Sequence, residues 1–296
     1  MKPKYSLEYA ESLPRFDRGV SWLCWAYNEE ELIEEYLLRA NDILQKTVLD
    51  YEIVVIDDCS TDRTNAIITL LQKSIPQIRL IRNEKNLNVG LSSQKAIQSA
   101  TKEFLFWQTI DWAYDITLLR VFLELLKSHD IVAGVRRAPV VVANSIRWLK
   151  PFLGLMILFG VKHVTRRSDT ISKAFVSLTN YILIRVMFRV PLSDYQNVVF
   201  YPSKLIQSIT CESKSSFTNP ECLIKAYWKG SRIAEVPISF IPRQKGEAKG
   251  TRLKAIFASI TDIFCLWLRW IVLGRRGPLN KGVIRRLRTD EWENGK

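Results

Sequence analysis

Over residues 1–134, short runs of consecutive apolar residues alternate with longer stretches whose apolar positions recur every three or four residues. The runs at 20–26, 51–56, 78–82, 104–107 and 130–134 predict strands, and the stretches 29–45, 62–73, 91–100 and 116–127 predict helices. Strand and helix in alternation predict an α/β domain with a mostly parallel central sheet. In open sheets of this kind ligands bind outside the carboxyl ends of the strands. Asp57, Asp58, Ser60 and Thr61 fall there, where the second strand hands over to its helix.

After Gly134 the pattern becomes basic and apolar. Arg136 and Arg137 precede an apolar run within 148–161, about half the length a bilayer crossing needs, which reads equally as a buried core helix or an interfacial one. Residues 169–189 predict a helix that stops before Pro191, 217–229 another, and 232–237 a strand that returns the chain to the sheet. Between 256 and 273 aliphatic residues and tryptophans dominate, with Asp262 and Arg269 among them. Both charges are costly at a bilayer centre, so the stretch predicts an amphipathic helix lying in the headgroup region rather than a span. A helix packed on the domain with a solvated basic face is the alternative. The expected organisation is a domain over 1–250, with a nucleotide-sugar half at 1–134 and an acceptor half at 135–250, then a basic membrane-surface tail at 251–296.

Composition narrows the chemistry. At 47% hydrophobic and 25% charged the 296 residues are of globular type. Five scattered cysteines with no C-x-x-C pair predict a reducing compartment. His129 and His163 stand alone, which argues against a zinc site or a histidine relay and leaves any metal to carboxylates. The net charge of +13 is lopsided: residues 1–134 hold 15 Lys/Arg against 20 Asp/Glu, and 135–296 hold 28 against 10. A basic second half suits nucleic acid, anionic lipid or a phosphorylated substrate.

The densest chemical signal is Trp25-Ala-Tyr-Asn-Glu-Glu30 followed by Tyr51-Glu-Ile-Val-Val-Ile-Asp-Asp-Cys-Ser-Thr-Asp62. Carboxylates at a strand end hydrogen-bond ribose hydroxyls or base edges, and near a diphosphate they hold a hard divalent cation. Singly, Asn28 and Asp62 read as helix caps and Asp57-Asp58 as turn residues; the set at this spacing carries more than that.

With Asn86-x-Asn-Val-Gly90, Gln108-Thr-Ile-Asp111 and Glu235-Val-Pro-Ile-x-Phe-x-Pro-Arg-x-x-Gly-Glu-Ala-Lys249, the chain resembles family 2 glycosyltransferases of GT-A fold over about residues 20–250. The late stretch points to the branch of dolichol- or polyprenyl-phosphate mannosyl- and glucosyltransferases. The resemblance implies a hexosyltransferase working at the cytoplasmic face of a membrane as a peripheral protein, with inverting transfer from a nucleotide-diphosphate sugar to a polyprenyl-phosphate acceptor. It implies that Ala26, Tyr27, Asn28 and Glu29 line the nucleobase pocket together with Gly90. By the same likeness Asp57 and Asp58 meet base and ribose, and Asp111 faces the diphosphate with Mg2+ or Mn2+. Arg243 and Lys249 then lie on a loop closing over the phosphates. The chain departs from the family where Thr109 replaces the first acid of Asp-x-Asp, Ala113 a glutamine, Ala248 a serine, and Asp194-Tyr-Gln-Asn197 a glycine- and arginine-containing motif.

A phosphate acceptor is already an oxyanion and needs no strong base. A sugar hydroxyl acceptor would need one, and Asp194 is the candidate. Arg136, Arg137, Arg166 and Arg167 are candidate acceptor-phosphate clamps. One other reading stands beside this one, a catalytically silent glycosyltransferase-like protein resting on Thr109 and Ala113. A nucleic-acid-binding module using the basic half is discounted, because the tryptophans there sit in a long aliphatic face and the acidic first half would repel a polyanion, so no nucleic-acid partner is expected.

Overall fold

The computed structural model describes residues 4–137, 171–239, 241, 253–275, 280–287 and 291–292, without the side chains of 136–137, 171–178 and 253–255. In chain order the elements are α1 (Leu7–Ser12), β1 (Val20–Ala26), α2 (Ile33–Thr47), β2 (Tyr51–Asp57), α3 (Thr64–Ser74), β3 (Ile78–Arg82), α4 (Asn88–Ser99), β4 (Phe104–Trp107), α5 (Leu119–Leu125) and β5 (Ile131–Arg137). There follow α6 (Ile171–Phe188), β6 (Val199–Pro202), α7 (Ser203–Gln207), α8 (Thr218–Trp228), β7 (Arg232–Ser239), α9 (Leu253–Trp267), a π-turn (Leu268–Val272) and β8 (Val283–Arg286).

The eight strands form one sheet in the order β3-β2-β1-β4-β6-β5-β7-β8. All neighbours run parallel except β6, which is antiparallel to β4 and β5. Both faces are covered, so the central strands are apolar at nearly every position. Trp22 and Cys24, Ile53 and Val55, Phe104 and Phe106 face one hydrophobic cluster. Leu23, Val54 and Ile56, Leu105 and Trp107 face the other. α2 packs on the first face through Ile33, Tyr36, Leu37, Ala40 and Leu44, an i, i+3, i+4, i+7, i+11 stripe. On the second face lie Ala96 and Ile97 of α4, Leu223 and Ile224 of α8, and Ile263 and Leu266 of α9.

The strands read from sequence all form, and the helices begin and end within a few residues of expectation. The sheet also holds two strands that apolar patterning does not mark. β6 is four residues long and ends on Pro202. β8 is an edge strand of which only Ile284 is partly buried. β8 pairs with β7, and Trp292 is buried against Phe122 and Tyr5, so parts of the stretch expected as a surface tail are built into the domain. The apolar run within 148–161 lies outside the described residues.

The direction of β6 matters for the site. Because it runs against β4, with Leu105 opposite Tyr201, the segment leading into it emerges at the same edge as the carboxyl ends of β1, β2 and β4.

Candidate functional site

Register places Ala26 beside Asp57 and Asp57 beside Arg82, so the loops after β1, β2 and β3 open side by side. The loop after β1 and the loop after β2 are laced together. Asn28 N–H donates to Ser60 Oγ at 3.0 Å, Glu29 N–H to Thr64 Oγ1 at 2.9 Å and Glu30 N–H to Asp62 Oδ2 at 3.2 Å. In return Thr61 N–H donates to Asn28 Oδ1 at 2.9 Å and Arg63 N–H to Glu30 Oε2 at 3.1 Å. α2 starts at Ile33 rather than at Glu29.

Asp57 and Asp58 are both buried and have different surroundings. Asp57 Oδ1 accepts Ser60 N–H at 2.9 Å, and its Oδ2 accepts Asn65 Nδ2 at 2.8 Å and faces Arg82 Nε at 3.4 Å. These contacts make it the internal tie of the loop. Asp58 Oδ1 accepts Asn83 Nδ2 at 2.7 Å and Leu87 N–H at 2.8 Å, which ties the loop after β2 to the entry of α4. Gly90 sits in the first turn of α4, where a Cβ would stand 2.3 Å from the backbone of Lys214, so no other residue fits without displacing that chain.

Past β4, Gln108 is buried and organises the next loop: its Oε1 accepts Thr109 N–H at 3.0 Å and Tyr114 N–H at 3.3 Å, and its Nε2 donates to Tyr114 C=O at 2.7 Å. Thr109 Oγ1 accepts Ala113 N–H at 3.1 Å. Thr109 and Ala113 are therefore bonded to each other in the loop carrying Asp111. Trp112 packs on Trp22 and Tyr36, with the Arg39 guanidinium over its ring at 4.1 Å. Burial pushes the Tyr36 hydroxyl well above its ordinary range, and the nearby Asp111 charge adds to that shift.

Asn28, Cys59 and Trp112, in the loops after β1, β2 and β4, and Asn88, which opens α4 after β3, all have positive φ, at 52°, 64°, 54° and 63°. Such conformations cost about 1–3 kcal/mol each and cluster at functional sites when the surroundings over-determine them.

The segment before β6 completes the edge. Asp194 is buried, its Oδ1 accepting Gln196 N–H at 3.1 Å and its Oδ2 Asn197 Nδ2 at 3.3 Å. Neighbouring Ser193 donates its N–H and Oγ to Glu235 of β7 at 2.5 and 2.8 Å, and Arg286 of β8 meets Glu235 at 3.0 Å. Arg136 and Arg137 end β5 beside Ile238 and Ser239, and their side chains are outside the described residues, as are Arg166, Arg167, Arg243 and Lys249. Among the described residues no three His, Cys, Asp or Glu side chains form a metal-binding group.

A family model, glycosyl transferase family 2, matches residues 21–190, which hold the braced loops, Asp111 and the sheet edge that joins them. The chain belongs to glycosyl transferase family 2. Its fold is the family's GT-A fold. It is 24% identical over 275 residues to glycosyltransferase AglD of Haloferax volcanii, and 26% identical over 253 residues to dolichol-phosphate mannosyltransferase of Pyrococcus furiosus. The matches cover 90% and 85% of this chain but 40% and 64% of those relatives. Among solved structures, mannosyltransferase PcManGT of Pyrobaculum calidifontis, in complex with GDP-Man and Mn2+, superposes with a TM-score of 0.53 at 16% identity, over 86% of this chain and 69% of that one. Glucosyl-3-phosphoglycerate synthase of Mycobacterium tuberculosis, with Mn2+, UDP and phosphoglyceric acid, gives 0.54 at 15% identity, over 94% and 85%.

The matched stretch contains residues 26–30, 57–62, 86–90 and 108–111, while Asp194 and the motif at 235–249 lie beyond it. Sequence reading did not single out Asn83, the buried amide that holds Asp58, and it gave Gln108 as part of a motif without its role in holding the Asp111 loop. A polar residue directly after the apolar run of β3 or β4 was the available signal for each.

Proposed function

We propose that the chain transfers a hexose from a nucleoside-diphosphate sugar to a polyprenyl-phosphate lipid at a membrane surface. The observation that carries the donor half is the braced edge, where four strained backbone positions converge around Asp58, Gly90 and Asp111. The carboxylate of Asp58 and the rim formed by Ala26, Tyr27, Asn28 and Glu29 suit a nucleoside, with Asp57 holding the loop from beneath.

The donor set fits a divalent cation that enters with the diphosphate, with Asp111 as its protein ligand. Magnesium keeps several waters and is held by one or two carboxylates plus substrate phosphates, so Thr109 and Ala113 do not preclude it. Bound there, such a cation would neutralise charge developing on the departing diphosphate. A lipid-phosphate oxygen attacks the anomeric carbon, the bond from that carbon to the nucleoside diphosphate breaks, and the diphosphate leaves with the electron pair. Because the nucleophile is already ionised, the protein's task is positioning. Asp194 is held in a buried turn beside this edge, and in this reading it faces the acceptor. Arg243, Lys249 and the Arg136, Arg137, Arg166 and Arg167 group supply the cationic partners of the phosphates in this reading.

The acceptor half rests on the relatives' names and on the surface of α9. Phe257, Phe264, Leu268 and Val272 lie at i, i+7, i+11 and i+15 and are 67%, 51%, 48% and 54% exposed, while Ile263, Leu266 and Trp270 on the opposite side are buried. A helix apolar on its outer face suits the headgroup region of a bilayer. Among the described residues no helix is long and apolar enough to cross one.

The test is transfer of radiolabelled sugar from UDP- and GDP-linked donors into polyprenyl phosphate held in anionic vesicles. Asp111→Ala is expected to lower transfer by at least about a hundredfold while leaving folding intact. No transfer by the native chain from any such donor would favour the silent reading, and transfer only to a soluble glycan hydroxyl would move the acceptor assignment.

A further inference from the structure

Residues 212–215 form a short wedge between α8, α9 and α4, and carboxylates from two helices hold every N–H of its backbone. Glu221 of α8, fully buried, accepts Glu212 N–H and Ser213 N–H, both at 2.8 Å. Asp262 of α9 accepts Lys214 N–H at 3.0 Å, Ser215 N–H at 3.1 Å and Ser213 Oγ at 2.7 Å, all on one oxygen. The opposite side of the wedge presses on α4. Gln94 Nε2 donates to Ser213 C=O at 2.6 Å, and the Lys214 backbone stands where a Cβ on Gly90 would be.

We propose that Asp262 is a positioning residue for the donor pocket: through the wedge it fixes the first turn of α4 relative to Asp58. This rests on the donor reading above. α9 already has an apolar anchor in Ile263, Leu266 and Trp270, so attachment of the helix does not require a carboxylate. What the carboxylate adds is register. The half-buried carboxylate holds three donors on one oxygen, so it fixes the wedge at one position along α9. On the α4 side the fit has no slack, because only glycine allows the approach at position 90. A shift of the wedge therefore passes directly to Asn88 and Gly90, and through Leu87 N–H to Asp58. Asp262 lies outside residues 21–190, the stretch that the family model matches.

The experiment measures calorimetric binding of UDP and GDP, each with Mg2+ and with Mn2+, to the full chain and its variants. Asp262→Ala is expected to weaken the nucleotide that the native chain binds by about tenfold. Asp262→Asn, whose amide oxygen still accepts the two backbone donors, is expected to weaken it by about threefold. Ile263→Val loosens the same helix without touching the wedge and is expected to leave the dissociation constant within about twofold, whatever it does to Tm. Native affinity in Asp262→Ala would overturn the proposal and leave the donor reading standing. So would an equal loss in Ile263→Val, since any loosening of α9 would then suffice. A native chain that binds neither nucleotide overturns both. If Asp262→Ala does not fold, Asp262→Asn decides, and native affinity in it overturns the proposal.

Discussion

The loops on the two sides of the candidate site are held by different means. On the donor side the brace is made by the motif itself, with residues 28–30 and 60–64 bonding one another across a separation of 32–35 positions. On the other side, residues 193–197 and 212–215 are held by acids and a base later in the chain, namely Glu221, Glu235, Asp262 and Arg286. The first arrangement keeps bracing and binding residues in one recognisable stretch, so they change together. The second lets that side vary while later elements keep it in place. Asp57-Asp58-Cys-Ser-Thr-Asp62 matches the motif the chain resembles, whereas Thr109 and Ala113 beside Asp111 and the segment at 194–200 depart from it.

The strongest test of the contrast is Asp57→Ala. It leaves the buried Ser60 N–H and Asn65 Nδ2 without their acceptor and frees Arg82, in a residue with no solvent exposure. The expected cost is about 3–5 kcal/mol, read as a fall in Tm of roughly 10 °C together with loss of nucleotide binding. If binding vanished while Tm stayed native, Asp57 would be a contact residue and not the tie of the loop.

Much of this was legible in sequence. The strands at 20–26 and 104–107 could be bounded to the residue because central strands buried on both faces are nearly continuous apolar runs with polar ends. The motif aspartates stood out because two adjacent carboxylates at a strand end have few other uses. β6 was hidden because four residues ending in proline carry no period, and its antiparallel course is decided by the space between β4 and β5. Asp262 was visible only as a charge in an apolar stretch. That its partner is a backbone segment 47–49 positions away depends on how α9 packs, which local pattern does not encode.

A second test compares two buried glutamates, one in each half of the sheet: Glu52 at the start of β2, away from the site edge, and Glu235 on β7, which holds Ser193. Glu52 on β2 is pushed up by burial, but hydrogen bonds from Ser21, Thr101 and Arg79 outweigh this and hold its carboxyl below the usual 4.5. Glu235 on β7 is raised above 4.5, because burial outweighs its bonds from Ser193 and the charge of Arg286, and the charge of Asp194 adds to the rise. The stability contributions therefore have opposite signs in pH. That of Glu52 is present above its unfolded value and is lost as pH falls through its folded one. That of Glu235 is full below its unfolded value and is lost as pH rises through its folded one. At neutral pH, Glu52→Gln is expected to cost about 2–3 kcal/mol and to flatten the acid limb of a Tm-against-pH curve. Glu235→Gln is expected to cost about 1 kcal/mol or less and to flatten the fall in stability above pH 4.5. Shifts of the same sign in both variants would remove the distinction between the two sides.

The smallest expected effect falls on the residue where the sides meet in chemistry. Thr109 stands where the family has its first metal-binding acid, yet its hydroxyl already has a task, accepting Ala113 N–H in the loop that carries Asp111. Thr109→Val keeps the shape and removes the acceptor, so the cost should be about 1 kcal/mol, seen as a Tm lower by roughly 2–3 °C. Thr109→Asp can still accept the same N–H through a carboxylate oxygen, and it adds a second acid beside Asp111. Its stability should stay within about 0.5 kcal/mol of native, and its affinity for Mn2+ in the presence of UDP or GDP should rise, as expected when an oxygen ligand is added to a site built around one carboxylate. If Thr109→Asp were as destabilised as Thr109→Val and gained no affinity for the ion, the threonine would serve the loop alone. Unchanged stability with tighter metal binding would instead show that the loop tolerates an acid there and that this chain operates with a weaker hold on its cation.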